Sequence, residues 1–222
     1  MGPLNDWMVW LSWASPISLL LGILSAIRWG FRLDDQNRVV LVFLILFLII
    51  DQCSRFIEQW FSMLNNLHFL SWSAWIEFAF FSILYTRFFV TRKFGYLKWV
   101  LSGIGILLLV HLLSRSFYVE LEQFQLYDRL LVDGVVMLLG LLYLFVVLDS
   151  RKMVERAEQV TNIFILFYAA VDLFMSLTVN FMVNAGLSFV FVFWLIRLVF
   201  LVALYINLAQ GIWHNGRSLK HR

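Results

Sequence analysis

The sequence predicts an all-α membrane protein, a single bundle of seven transmembrane helices with its amino terminus outside and its carboxyl terminus in the cytoplasm. Three observations predict this fold. First, the 222 residues are 62% hydrophobic and only 14% charged, which is more apolar surface than a soluble domain of this length can bury. Second, the apolar residues form runs of about 20, long enough for a helix to cross a hydrocarbon core of about 30 Å. Third, basic residues collect in alternate loops, as the positive-inside rule describes.

Each apolar run is predicted as a helix because a chain in hydrocarbon must satisfy its backbone hydrogen bonds internally. The first run follows MGPLND, which lacks the positive charges of a secretory signal, so we expect this run to be retained. The later runs are separated by short polar breaks such as FRLDDQNR and TRKFGY, none long enough to hold a second domain. We therefore expect residues 1–222 to form one membrane domain. The predicted spans are 8–30, 38–61, 69–90, 96–114, 128–148, 160–182 and 187–212.

The predicted orientation rests on the distribution of arginine and lysine among the loops. The first, third and fifth loops and the carboxyl-terminal tail are basic, whereas the alternate loops contribute only Arg115 and Arg129. The positive-inside rule then places the amino terminus outside, and seven crossings make the alternation consistent. The basic residues on the predicted cytoplasmic side are Arg28, Arg32, Arg38, Arg87, Arg92, Lys93, Lys98, Arg151, Lys152, Arg156, Arg217, Lys220 and Arg222.

Ionisable side chains interrupt the predicted spans, mostly in their outer halves. A charge that faces lipid at a helix centre costs at least about 2.5–3.5 kcal/mol, so we expect these side chains to point into the bundle. The sequence therefore predicts a polar cavity that opens outward and is closed by apolar packing towards the cytoplasm, where the spans offer mainly Asn207. The candidate ligand-binding residues are Asp51, Arg55, Glu58, Glu77, His111, Asp133, Asp172 and Arg197.

The charges of these residues do not balance. The acids within the spans are Asp51, Glu58, Glu77, Asp133 and Asp172. Only Arg55 and Arg197 are expected at comparable depth, so some acids must be neutral or a cation must enter. The alternative is a purely structural role. Asp51 would then pair with Arg55 in its own helix, and Arg197 would bridge to Asp172 or Glu77.

Catalytic and cofactor chemistry finds little support in the sequence. The four histidines are divided between the two predicted faces of the membrane, and no serine nucleophile motif is present. Every lysine lies in a predicted loop, at the cytoplasmic end of a span or in the tail, which excludes a retinal Schiff base within the bundle. The basic residues occupy short loops rather than one face, which argues against nucleic-acid binding. We therefore expect no enzyme activity, no metal and no cofactor, and the lipid bilayer as the surroundings.

Three functions remain open. A sensor or receptor would bind a small ligand or a proton in the outward cavity and would signal through a partner, with DSRKMVERAEQ as the best candidate contact surface. A small-solute or ion-coupled transporter is the first alternative, because IIDQCSRF and AAVDLFMS faintly echo each other as parallel repeats would. The shortage of polar residues in the inner half argues against it. The second alternative is a structural subunit of a membrane complex.

The run NNLHFLSWSAWIEFAFFSILYTRFF, with Asn65 and Asn66 in its outer turn and Glu77 in an Ile-Glu-Phe triplet, resembles a group of short bacterial seven-helix membrane proteins. NIFILFYAAVDLFMSLTVNFMVN and IWHN resemble the carboxyl-terminal half of that group, so the likeness extends over most of the chain. The group has no established activity, but its members are often encoded near sensor histidine kinases. The resemblance implies a bacterial inner membrane, a sensing role and a histidine kinase as candidate partner. Asp172 departs from the group, whose members often have small polar residues there.

Overall fold

The computed structural model describes residues 11–30, 32–60, 67–90, 95–118, 127–150, 156–185 and 190–220. These residues form α-helices joined by short connections and include no β-strand, which confirms the predicted all-α membrane bundle. The helices are α1 (Ala14–Arg28), α2 (Asp35–Trp60), α3 (Leu67–Ile83), α4 (Leu97–Tyr118), α5 (Tyr127–Ser150), α6 (Arg156–Asn184) and α7 (Val190–Lys220).

The helices α2 to α7 are each long and apolar enough to cross a membrane, α3 together with its helical continuation to Phe89. The first helix is shorter, because α1 has 15 residues, or about 22 Å at 1.5 Å per residue. The crossing of the first predicted span, 8–30, therefore stays a prediction, since residues 1–10 lie outside the described part of the chain. At the other end, α7 continues well beyond the predicted boundary at residue 212. Polar residues continue this helix because its last turns pack against the end of α1.

The packing between the two ends of the chain is close. A Cβ atom on Gly216 would lie 2.6 Å from the ring of Trp29, so only glycine allows this approach. The rings of Trp29 and Trp213 meet edge to face at 5.3 Å. The side-chain amide of Asn215 donates to Asp34 Oδ2 at 2.6 Å and accepts from the Asp34 backbone N–H at 3.1 Å. The loop before α2 is thereby fixed to the end of α7.

Six helices form a closed ring in the order α1, α2, α3, α5, α6, α7, each packed against the next, and α7 returns to α1. The helix α4 lies outside this ring and packs mainly against α3. Its side chains are accordingly the least buried, with Leu107 70% exposed. The apolar outer face of α4 is what a lipid-facing helix requires.

The centre of the ring is filled by an aromatic layer, which we define as Phe43, Phe47, Phe80, Phe81 and Tyr205. Phe43 stacks on Phe80 with ring centroids 3.8 Å apart. The ring of Tyr205 lies 6.4 Å from Phe43 and 6.0 Å from Phe47, at steep angles. These contacts pack α2, α3 and α7 together at mid-depth.

The third predicted span, 69–90, is not a uniform α-helix. After Ile83 the chain continues as a π-helical segment, Leu84–Phe89, which ends with the Val90 N–H donating to Tyr85 O at 2.7 Å. Within this segment the Tyr85 hydroxyl donates to Asn162 Oδ1 at 2.6 Å. Nothing in the apolar pattern of the sequence signals this change of helix type, which is rare and is often found at functional sites.

Candidate functional site

Five ionisable side chains from four helices meet inside the ring. We call them the charge cluster: Glu77 on α3, Arg129 and Asp133 on α5, Asp172 on α6 and Arg197 on α7. All are buried, and the most accessible, Arg197, is 8% exposed. Isolated charges would not be tolerated at this burial, so each must be paired or neutral.

Arg129 is the centre of the cluster. Its Nε donates to Asp172 Oδ2 at 2.6 Å, and its Nη2 donates to the two carboxylate oxygens of Glu77 at 3.0 and 3.2 Å. Its Nη1 donates to Ser73 Oγ at 3.3 Å. The hydroxyl of Tyr168 accepts from Arg129 Nη2 at 2.7 Å and lies 3.0 Å from both Glu77 oxygens. One guanidinium thus connects α3, α5 and α6 through charge-assisted hydrogen bonds.

Arg197 extends the cluster to α7 and is only partly engaged. Its Nε donates to Asp172 Oδ1, on the opposite side of that carboxylate from Arg129. Its guanidinium lies over the ring of Trp194, with Cζ 4.8 Å from the ring centre. Within the described residues, neither terminal nitrogen of Arg197 has a hydrogen-bond partner. These donors remain available to a ligand.

Asp133 completes the cluster without joining its hydrogen bonds. It is 1% exposed, and its Oδ2 finds no hydrogen-bond partner in the described part of the chain. The cluster contains three carboxyl groups and two guanidinium groups, so full ionisation would leave one buried negative charge unbalanced. A proton on one carboxyl group restores the balance, and Asp133 is the group without an ion pair in the described residues.

The same carboxyl groups could hold a metal ion by distance alone. Oxygen atoms of Glu77, Asp133 and Asp172 lie within 4.8 Å of one another. However, Arg129 already donates to two of the three carboxylates, and a cation would have to displace that guanidinium. The arrangement therefore favours a proton over a metal ion.

An outer cavity of about 320 Å³ opens beside the cluster, at the end of the bundle that the orientation prediction places outside. Arg197, Arg129 and Glu77 form its polar wall, and most of its remaining surface is apolar. The apolar and aromatic wall consists of Leu11, Leu19, Phe47, Ile50, Phe69, Leu70, Trp194, Leu195, Leu198, Leu201 and Tyr205. The cavity can thus accommodate a molecule with one charged and one apolar end.

Asp51 and Arg55 line the mouth of this cavity. The Arg55 Nε donates to Asp51 Oδ2 at 2.8 Å, which is the pairing within one helix that the structural alternative predicted. Both terminal nitrogens of Arg55 bind residue Ser12, the hydroxyl at 3.1 Å and the backbone oxygen at 2.6 Å. Arg55 is therefore occupied in joining α2 to the start of α1, in contrast to Arg197.

The structure brings together most of the predicted site residues but not all of them. His111 lies apart, with a side chain 57% exposed and its Nε2 3.3 Å from Asp128 Oδ1, because α4 is outside the ring. The Glu58 side chain and the outer-turn residues Asn65 and Asn66 lie outside the described residues.

Two expectations about the bundle interior are corrected. Arg129 was counted with the outer loops at the very start of its span and not among the deep charges, but it is a buried member of α5, so three arginines and not two lie among the acids. The signal was present, since Arg129 and Asp133 are four residues apart on one helical face. The inner half is also more polar than expected, because a second cavity of about 520 Å³ lies there. Asn162 is buried there as well, with its amide facing Tyr85.

The chain matches no protein-family model, and neither the curated proteins nor the solved structures include a significant match.

Proposed function

We propose that the protein is a sensor of the bacterial inner membrane that binds a small anion with an apolar body in the outer cavity and signals through a membrane partner. The observation that carries the proposal is the state of Arg197. Its Nε is held by Asp172, the residue lines the outer cavity, and its two terminal NH₂ groups have no hydrogen-bond partner among the described residues. A guanidinium held in this way is prepared to bind a carboxylate or sulfonate through two parallel hydrogen bonds.

The surroundings of Arg197 support an anion over a cation. Three arginines line the outer cavity, against the carboxylates of Asp51 and Glu77. Both carboxylates already accept hydrogen bonds from arginine, at 2.8 Å in Asp51 and 3.0 Å in Glu77. An incoming cation would find its acceptors occupied, whereas an incoming anion would find free donors.

Binding at Arg197 would reach the rest of the bundle through Asp172. That carboxylate is shared between Arg197 and Arg129, so an anion that attracts Arg197 shifts Asp172 towards Arg129 and α5. From Arg197 to Lys220, α7 continues as about 35 Å of helix towards the predicted cytoplasmic side. A displacement of α7 would therefore be presented to a partner, for which a histidine kinase is the candidate.

The test uses benzenesulfonate, whose anionic group and apolar ring match the two ends of the cavity. We expect the purified full chain in lipid nanodiscs to bind benzenesulfonate in titration calorimetry, and to bind benzyl alcohol and benzylamine much more weakly. Arg197→Gln should weaken binding by about 10- to 100-fold, because hydrogen bonds to charged groups are worth about 1.5–3 kcal/mol. Arg87→Gln is the matched control, because this arginine is exposed and does not line the outer cavity, and it should leave the affinity largely unchanged.

Arg197→Lys keeps the charge and the ion pair with Asp172 but removes the planar pair of donors. It should fold as the wild type does and still bind benzenesulfonate more weakly. Equal binding of benzyl alcohol, or equal affinity in the wild type and both Arg197 variants, would contradict the proposal.

A further inference from the structure

The second cavity occupies the opposite end of the bundle, between α2, α6 and α7. We call it the inner cavity; it measures about 520 Å³, and its polar lining includes Asn37, Arg156, Asn207 and His214. Asn207 stands out, because its Oδ1 is buried and has no hydrogen-bond partner in the part of the chain that the structure describes. An unsatisfied buried acceptor beside a polar cavity indicates a place for water or for a passing polar group.

Only a thin layer separates the two cavities. On α7, Tyr205 lines the outer cavity and Leu208 lines the inner one, which is about 4.5 Å along a helix. On α2 the corresponding residues are Phe47 and Val40, about 10 Å apart by the same rise. The barrier is therefore a small part of the roughly 30 Å hydrocarbon thickness.

The aromatic layer fills this barrier. Its members meet by ring contacts, such as Phe43 on Phe80 at 3.8 Å. Phenylalanine side chains separate without leaving an unsatisfied polar group behind, so such a layer can rearrange at low cost compared with the charge cluster. The π-helical segment begins at Leu84, the residue of the third span that lines the inner cavity. The third span therefore changes from α-helix to π-helix at the boundary between the aromatic layer and the inner cavity.

We propose that the protein carries the bound anion across the membrane, from Arg197 in the outer cavity through the aromatic layer to the inner cavity. The proposal rests on the anion site proposed above and adds a second activity to it. With a thin closed layer between the site at Arg197 and the inner cavity, a rearrangement of that layer would change the side from which the site is reached, as alternating access requires. The inner cavity is lined by Arg156 and also by the carboxylates of Asp34 and Glu158. Asp34 already accepts hydrogen bonds from Asn37 and Asn215, so Arg156 is the cationic group that an anion would meet at the inner end.

The test is counterflow in liposomes that contain only the purified full chain. The vesicles are loaded with unlabelled benzenesulfonate, and entry of radiolabelled benzenesulfonate is followed. Because this sulfonate keeps its charge, its leakage through lipid is slow. We expect entry above protein-free vesicles, loss of that entry in Arg197→Gln, and saturation with added unlabelled probe.

The variant Asn207→Leu distinguishes transport of the anion from its binding. It replaces the unsatisfied amide in the inner cavity and leaves the outer cavity intact, so we expect normal benzenesulfonate affinity in nanodiscs and loss of counterflow. Ile206→Leu, at the lipid-facing neighbour, is the matched control and should keep both. Binding without counterflow in the wild type would overturn the carrier and leave the anion site standing. Full counterflow in Asn207→Leu would overturn the path through the inner cavity, and absence of binding would overturn both proposals.

Discussion

Replacement of Asp172 by asparagine should destabilise the bundle strongly. The carboxylate is fully buried and is shared by two arginines, with Arg129 Nε at 2.6 Å and Arg197 on the other side. The variant keeps the volume but removes the charge, so Arg129 retains only Glu77 as an ion-pair partner and Arg197 retains none among the described residues. Removal of one partner from a buried ion pair costs about 3–5 kcal/mol, and we expect a loss of this size in the free energy of unfolding.

Asp133→Asn is the matched control, with the same chemical change in the same cluster. The Asp133 Oδ2 receives no hydrogen bond in the described residues, and a neutral amide replaces a carboxyl group that the charge balance requires to be neutral. The loss should therefore stay below about 1 kcal/mol, within the range of a single hydrogen bond.

Both variants can be measured by equilibrium unfolding in mixed micelles of a mild detergent and dodecyl sulfate, followed by far-ultraviolet circular dichroism. The decisive quantity is the difference between the losses in free energy of unfolding of the two asparagine variants, because both losses are measured in the same micelles. Equal losses for Asp172→Asn and Asp133→Asn would refute the charge assignment. A larger loss for Asp133→Asn would show that Asp133 is the ionised partner.

Three further predictions use simpler measurements. Tyr168→Phe removes the hydroxyl that accepts from Arg129 and contacts Glu77, and should lower the free energy of unfolding by about 1–3 kcal/mol; an unchanged value would argue against the network. His111→Ala should leave benzenesulfonate affinity unchanged in nanodisc titrations, because that side chain lies on α4 away from the cavity; a marked loss would place α4 in the site. In a bacterial host, a green fluorescent protein fused after the last residue should fluoresce, and alkaline phosphatase at the same position should be inactive; the reverse result would invert the orientation.

The helices could be predicted from the sequence because a bilayer imposes one requirement on every span. Twenty apolar residues satisfy that requirement, so the approximate bounds of α2 to α7 followed directly. The convergence of Glu77, Asp172 and Arg197 could also be predicted, since buried charges need partners. Both inferences use the cost of exposing polar groups to lipid.

The errors have a different origin. Arg129 follows the start of its span by a single residue in the prediction, and depth in a tilted bundle does not follow from a distance along the chain. His111 was assigned to the site because the fourth span ends on the outer side at this residue, and hydropathy does not distinguish a helix inside the ring from one outside it. The inner cavity arises from separate stretches of α2, α6 and α7, which no pattern within one helix predicts.

The contact between α1 and α7 has a consequence for the synthesis and assembly of the protein. Helices leave the ribosome in order, so the ring can close only after α7 has been synthesised. Until then α1 lacks its contact with α7. During that interval Arg129 can meet Glu77 and then Asp172, but Asp172 lacks its second arginine. A chain that stalls before α7 leaves the face of α1 that contains Gly22 without its neighbour Ala209. Quality-control proteases of the membrane would be able to recognise this exposed face of α1, which α7 covers in the completed ring.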